Sequence, residues 1–494
     1  MSETASSQRQ VRPGLLGLAL ALRAAWLGMD KAPAAIAFAT SMKGIVLLHV
    51  AVFLVFCTTR PGPGSMLIVA LGLAGCAAFP ARRTLVIGLT TLFFIMLRPT
   101  RSEELSDFLR REMDLVGTID QRILIAGAGI AFLAFGIAAL RLQSTFRTTA
   151  PGRHPVLTMM LIFFAVLAVP LSGLLPVKFA AEVWLFLAAL ASGFWCIAYA
   201  LADQKVKQTT NPLPRVAFFR PFWEGPTLPI GKGAGFLAKF EAKDETALAV
   251  TRLKGLKLIV WGALLAGADV TARNVLNTEA GVPVLADAMA AAAKGAPLPA
   301  ALSWASLVVH YLLDILHLAA WGHIVVALIR VAGYGIPRNT VRPLAARSLA
   351  EFWNRYYFYF KELLVDFFFY PAFLRWFKKH PRLRVAFATF CAACVGNWLF
   401  HFMGRIDILA VNGVLPGLRA FESYLLYCVV LAGGLIVSQL RNRRPKPEDG
   451  FLRYDVLPRL QVGLFFCLLT IFNEPIDAFT IGERFAFLFS LFGA

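Results

Sequence analysis

Long apolar runs recur along almost the whole chain, and no other feature constrains its fold as much. Twelve of them lie at about 36–58, 64–80, 84–98, 122–140, 155–175, 180–202, 256–276, 300–329, 384–404, 421–440, 460–473 and 479–493. A helix needs roughly 20 mostly apolar residues to cross a bilayer. The 494 residues are 58% hydrophobic and 16% charged, with a mean hydropathy of +0.66, whereas a soluble domain carries about a quarter charged residues. The alternating pattern of a membrane β-barrel is absent, so each span must satisfy its backbone within a helix. The expected fold is all-α: a polytopic bundle of about 11–12 transmembrane helices.

Charge sorts the loops. Segment 204–257 has ten basic and four acidic residues, 330–384 has eleven and three, 441–459 has six and three, and 141–154 has three arginines and no acid. Segment 99–121 has six acidic residues against three arginines. Twelve spans with both termini cytoplasmic put every basic loop on one side, as the positive-inside rule requires. The net charge of +20 then reflects topology and anionic headgroups, not nucleic acid. The polar start, MSETASSQRQVRP, precedes an apolar stretch broken by Arg23, which reads as an uncleaved interfacial helix. The seven cysteines all lie in apolar stretches and read as packing residues, Cys391 and Cys394 included.

Two basic segments are too apolar for simple loops. FKELLVDFFFYPAFLRWFKKH (360–380) reads as an interfacial or re-entrant amphipathic helix. PLPRVAFFRPFWEGPTLPIGKGAGFL (212–237) is broken by proline and glycine, and non-helical backbone at membrane depth survives only when buried or lining a wet cavity. This stretch is expected to line an opening. Its Gly231-Lys232-Gly233-Ala234-Gly235 lacks the strand context of a phosphate-binding turn. One integral membrane domain is expected, divided into N-terminal helices (1–203), a core (204–440) and C-terminal helices (441–494).

Ionisable side chains inside the apolar runs are the candidates for chemistry. His401, in GNWLFHFMG, is a natural general base near neutral pH; the alternative is a histidine hydrogen-bonded between helices. From Arg384 it lies about 26 Å along a helix at 1.5 Å per residue, in the bilayer half away from the cytoplasm. Asn397 lies one turn earlier on the same face, to orient His401 or bind a carbonyl oxygen. In the run 300–329, His310, Asp314 and His317 follow i, i+4, i+7 spacing, with His323 beyond them. Such a stripe suits a proton relay, a cavity wall or interhelical hydrogen bonds. A metal site is not expected, because one straight helix rarely supplies three ligands. Trp353, Asn354 and Arg355 mark a membrane edge, where arginine suits phosphate groups or lipid headgroups.

Two stretches resemble the membrane-bound O-acyltransferase (MBOAT) superfamily, closest to its bacterial alginate O-acetylation and teichoic-acid D-alanylation branch. Pro337, Asn339 and Pro343, then Glu351, Phe352, Trp353 and Arg355, match its P-x-N-F-x-x-P and E/D-F-W-R-R-W-H pattern without a gap. Upstream, Phe218, Phe219, Gly225 and Pro226 resemble its F-F-P-x-x-x-x-G-P-I loop, and GLKLIVWGALLAGADV resembles the helix start that follows. The chain departs from the pattern where Tyr356 and Tyr357 stand for Trp-His and where two residues separate Trp398 from His401. The resemblance implies a helical bundle with a central tunnel, embedded in the cell inner membrane. It implies transfer of an acyl group from acyl-CoA or an acyl carrier protein, entering from the cytoplasm, to a hydroxyl or amine of an acceptor. His401 would be the base, Asn354 and Tyr357 candidate partners, and Trp398 a substrate contact; no bound cofactor is implied. Two other functions stay open: a proton-coupled transporter or lipid scramblase using the His310/Asp314/His317 stripe, and a family member without catalysis.

Overall fold

The computed structural model describes residues 15–97, 121–207, 213–223, 228–441, 446–473 and 475–493. Most of the acidic segment 99–121, the polar start, Gly225 and Pro226 lie outside the described residues. Among the described residues the chain is helical throughout, and one antiparallel bridge joins Glu241 and Tyr334.

Among the described residues seven helical segments are long and apolar enough to cross a membrane: Ile123–Thr145, Phe179–Lys205, Glu245–Glu279, Ala300–Val331, Pro381–Gly404, Val414–Leu440 and Leu452–Phe472. Leu47, Leu54, Leu89, Leu161, Leu264 and Val437 are among many large apolar side chains on outward faces, a surface that suits lipid and not water.

Among the described residues the twelve runs of the sequence thus become seven such helices, or up to nine if each of two bent pairs is one span. The first pair, α1 (Pro33–Thr40) and α2 (Met42–Thr58), turns by 92° at Ser41. The Ser41 hydroxyl accepts the Gly44 N–H and starts the second helix. A Cβ on Gly44 would lie 1.8 Å from the Phe38 carbonyl oxygen, so the corner requires glycine. The second pair, α3 (Pro63–Ala78) and α4 (Arg83–Leu97), bends by 115° around Phe79–Pro80. A residue before proline is kept out of the helical region, which ends the first helix there.

The last apolar run is also shorter than it reads. It forms only α5 (Ile481–Ser490), half the span of the hydrocarbon core at 1.5 Å per residue. Arg484 sits in it at 1% exposure, donating to the Ile471 and Asn473 carbonyls at 2.6 and 2.8 Å. An arginine so placed pins the helix against the chain that precedes it.

The centre is an antiparallel pair, α6 (Glu245–Arg273) and α7 (Ala300–Val331). The two meet through glycines spaced by seven residues. A Cβ on Gly255 would lie 2.7 Å from Val331, and one on Gly262 would lie 2.9 Å from Ile324 and 3.2 Å from the Ala320 oxygen. One heptad further, Asp269 of α6 meets His317 of α7 at 3.1 Å. Small residues let the backbones approach closely where lipid supplies no hydrophobic drive, and the polar pair fixes which residues face each other.

Gly262→Val should therefore force the two helices apart, at a cost of about 1–3 kcal/mol. Melting of the purified protein in detergent reads this, with Gly267→Ala as the control that should not destabilise, because nothing outside the helix's own backbone lies within 4 Å of a Cβ there and alanine favours the helix.

Candidate active site

The proline-rich cassette is a brace for two short helices, α8 (Leu349–Tyr356) and α9 (Phe358–Leu364). The first N–H groups of a helix have no partner within it. Here buried Asn339 supplies them: its carbonyl accepts from Phe358 N–H at 3.0 Å and its Oδ1 from Tyr359 N–H at 3.2 Å. Thr340 donates to the Tyr356 carbonyl at 2.8 Å, and Val341 N–H donates to the Arg355 carbonyl at 2.7 Å. Gly322 on α7 leaves room for Asn339, since a Cβ there would lie 3.0 Å from its Nδ2. Ser348 caps α8, and Glu351 accepts from Arg347 N–H and from Arg355 at 2.7 Å. Arg355 is thus tied to Glu351, and Asn354 faces outward.

Segment 360–380, expected as an interfacial or re-entrant helix, is buried at its start and largely exposed from Tyr370 to His380. It runs from α9 through a π-helical turn, Val365–Phe369, to Tyr370–Arg375. Tyr359, Phe360, Leu363 and Leu364 are at most 3% exposed. It packs against a second π-helical turn, Cys391–Gly396, which joins α10 (Pro381–Phe390) to α11 (Asn397–Gly404). A Cβ on Gly396 would overlap the Phe368 ring at 2.6 Å. π turns shift the face that later residues present and are frequent at functional sites.

His401 leaves α11 partly buried in an aromatic cage. Its ring centroid lies 4.6 Å from Tyr424, 5.3 Å from Phe400 and 5.9 Å from Phe360, the last edge-on at 90°. Asn397 is fully buried, and its Oδ1 accepts the Tyr424 hydroxyl at 3.0 Å. Tyr424 and Tyr427, both on α12 (Glu422–Leu440), stack at 5.1 Å. Trp353 and Tyr357 reach the same place through Phe360, at 5.9 and 5.5 Å between rings. Four of the sequence candidates, Trp353, Tyr357, Asn397 and His401, thus gather around Phe360 and Tyr424. Trp398 points elsewhere and stacks on Phe402 at 4.8 Å.

The histidine stripe of α7 divides. His310 Nε2 lies 3.2 Å from Asp314, whereas His317 turns to Asp269, which also accepts from Arg273 at 3.0 Å. His323 is buried. The charge of Asp314 acts on Tyr356 of the cassette, whose ring lies 6.3 Å from Tyr357. Burial, then the Asp314 carboxylate, then the phenols of Tyr427, Tyr357 and Tyr311 push the Tyr356 hydroxyl well above its ordinary value. Of the phenols around Tyr356, Tyr357 and Tyr427 each reach His401 through one further ring, Phe360 and Tyr424 respectively. Among the described residues no three His, Cys, Asp or Glu side chains gather to hold a metal ion.

Of the broken segment, residues 215–223 and 228–231 are buried in the protein, with Phe219 and Arg220 at 0 and 1% exposure. It lines two cavities: Arg215, Phe218 and Gly235 face one of ≈ 350 Å³, and Phe222 and Trp223 face one of ≈ 370 Å³ that also holds Asp269 and His317. Lys232, between two glycines, takes φ +59°, a region that costs a non-glycine residue about 1–3 kcal/mol. Its ammonium lies 2.8 Å from Glu362 and 2.7 Å from Asp366, which also accepts from Tyr199 at 3.2 Å. Burial alone would lower this lysine; the hydrogen bonds and charges of Asp366 and Glu362 outweigh it and raise it above the ordinary 10.5. Burial likewise opposes the Glu362 charge, but Lys232 and Lys361 hold that carboxyl below 4.5.

Sequence reasoning passed over Tyr424, Tyr427 and Asp269, which sit in runs that read as plain spans, and Lys232, which it assigned no partner. The i, i+3 tyrosines on one apolar helix were the available signal. Comparison with protein-family models and with curated proteins finds no match for the chain.

The Lys232 cluster contributes stability across the neutral range. The lysine part is fully present below pH 10.5 and lost as pH rises through its raised value; the Glu362 part is present above pH 4.5 and lost as pH falls through its lowered value. Lys232→Met removes the cation shared by two half-buried carboxylates, leaving Glu362 with Lys361 and Asp366 with Tyr199, and should cost about 1–3 kcal/mol. Melting followed between about pH 4 and 11 should also lose its alkaline limb in this variant. The triple variant Lys232→Met/Glu362→Gln/Asp366→Asn should recover most of the loss.

Proposed function

We propose that the protein is a membrane-embedded acyltransferase of the MBOAT type. The observation that carries this reading is the convergence of the Asn397–Tyr424 hydrogen bond and the cassette aromatics Trp353 and Tyr357 around the one partly exposed imidazole of His401. A partly exposed imidazole held by ring contacts on several sides is oriented and reachable, as a general base must be. The two π turns flanking the cage and the unbroken cassette match add support.

In this reading the basic loops face the cytoplasm, and the thioester, acyl-CoA or an acyl carrier protein, enters from there. The acceptor hydroxyl or amine comes from the other side. His401 takes the acceptor's proton as its oxygen or nitrogen bonds to the acyl carbon. The carbon–sulfur bond breaks, and the leaving thiolate receives the proton from His401. Asn397 is sealed from substrate and acts through Tyr424, as a positioning residue for the imidazole. Tyr357 and Trp353 wall the approach. Holding the two reactants together in a site shielded from water supplies much of the rate.

Purified protein given radiolabelled acetyl-, palmitoyl- or D-alanyl-thioesters with hydroxyl and amine acceptors tests this. Wild type should transfer label, and His401→Ala should lose about 10²–10⁴-fold while eluting and melting as wild type does. Transfer unchanged in His401→Ala would remove the base from the mechanism. Proton-driven flux in proteoliposomes, more sensitive to Asp314→Asn than to His401→Ala, would replace acyl transfer with transport along the His310–Asp314 path.

A further inference from the structure

A separate crevice opens between α8, α12 and α13 (Leu457–Leu469), at the end of the molecule where α12 stops at Leu440. Its volume of ≈ 620 Å³ falls within the range of about 300–1,000 Å³ typical of small-molecule sites. One end is polar, with Arg347, Arg441, Tyr454 and Gln461. The other is apolar, with Leu349, Gly434, Val462 and Phe465. Gly434 lies seven residues before Arg441, about 10 Å deeper along the helix. Its missing side chain shapes the inner end, since a Cβ there would meet the Phe465 ring at 2.6 Å.

The charges at the mouth do not cancel. Glu351 is engaged by Arg355 at 2.7 Å, and Asp455 by Arg459 at 2.7 Å. Arg347 stands 3.8 Å from Asp455, beyond hydrogen-bond reach, and lies over the Tyr454 ring at 4.3 Å. Arg441 has no carboxylate partner among the described residues. Two guanidiniums therefore face an amphiphilic crevice, set at the level where a span ends and headgroups begin. Arginine forks match phosphate oxygens, and the apolar floor continues into the span, where a hydrocarbon chain belongs.

We propose that this crevice binds one anionic phospholipid, with its phosphate between Arg347 and Arg441 and one acyl chain along Leu349, Gly434 and Phe465. The site is independent of His401 and of the acyl-transfer reading, and neither arginine belongs to the cage. A lipid is distinguished from a free phosphate by the tail-lined floor.

Native mass spectrometry of the full chain, released from nanodiscs of phosphatidylglycerol or phosphatidylcholine, tests the assignment. One phosphatidylglycerol per chain should be retained, at least tenfold over phosphatidylcholine. Arg347→Gln/Arg441→Gln should abolish that preference, and Val437→Trp, which fills the crevice and leaves both charges, should reduce retention to the same degree. Inorganic phosphate at millimolar concentration should not displace the lipid. Equal retention of the two lipids, or a preference that survives both variants, would overturn the proposal. Full displacement by phosphate alone would also overturn it, in favour of a soluble-anion site.

Discussion

The close approach of α6 and α7 is the interaction on which the rest of the molecule depends. Two glycines at heptad spacing bring the backbones together, and the Asp269–His317 pair completes the series with polar groups. α7 then serves three other places. Gly322 admits Asn339, the Asp314 charge acts on Tyr356, and His310 pairs with Asp314. A shift of α7 by one residue would take Gly322 off Asn339 and move the Asp314 charge relative to Tyr356, while the His310–Asp314 pair, made within one face of the helix, would travel with it. That is the sense in which the candidate site is built on rigid helices although its cassette is a loop.

Broken backbone is the other theme. A chain in an apolar surrounding must find partners for every N–H and carbonyl it leaves unpaired. Here the breaks are tied to neighbours. Asn339 and Thr340 serve the joint between α8 and α9. Asp203 accepts from Gly235 N–H at 2.7 Å in the glycine-rich segment. Arg83 donates to the Gly333 and Ala242 carbonyls at 3.2 and 3.0 Å, and Arg484 serves the turn before the last helix. Long-range hydrogen bonds of this kind let the fold carry short helices and π turns inside a bundle, and the turn Cys391–Gly396 leads directly into the helix that carries His401.

Much of this was legible before any coordinates. The helical class, the longest spans and the irregular nature of 212–237 follow from apolar run length and from proline and glycine. His401, Asn397, Trp353 and Tyr357 were named from residue type and motif, and they lie together. Less legible were the corners. Ser41 and Phe79–Pro80 sit inside apolar stretches, and hydropathy does not register a 92° or 115° bend. Arg484 was hidden for the opposite reason: a charge in an apolar run reads as an interruption until its carbonyl partners are known. Tyr424 and Tyr427 pass as ordinary aromatic residues of a span, and only a histidine arriving from another helix gives them a role.

Local composition thus determined by itself that this chain forms apolar helices joined by basic segments, because run length and the cost of unpaired backbone leave a lipid-facing chain few alternatives. Tertiary structure decided which ionisable groups meet. Asp269 reaches His317 across 48 residues, Lys232 reaches Glu362 across 130, and the His310–Asp314–His317 stripe parts into two pairs. Partner choice of this kind depends on which helix faces lie together, and spacing within a single helix carries no information about its neighbour.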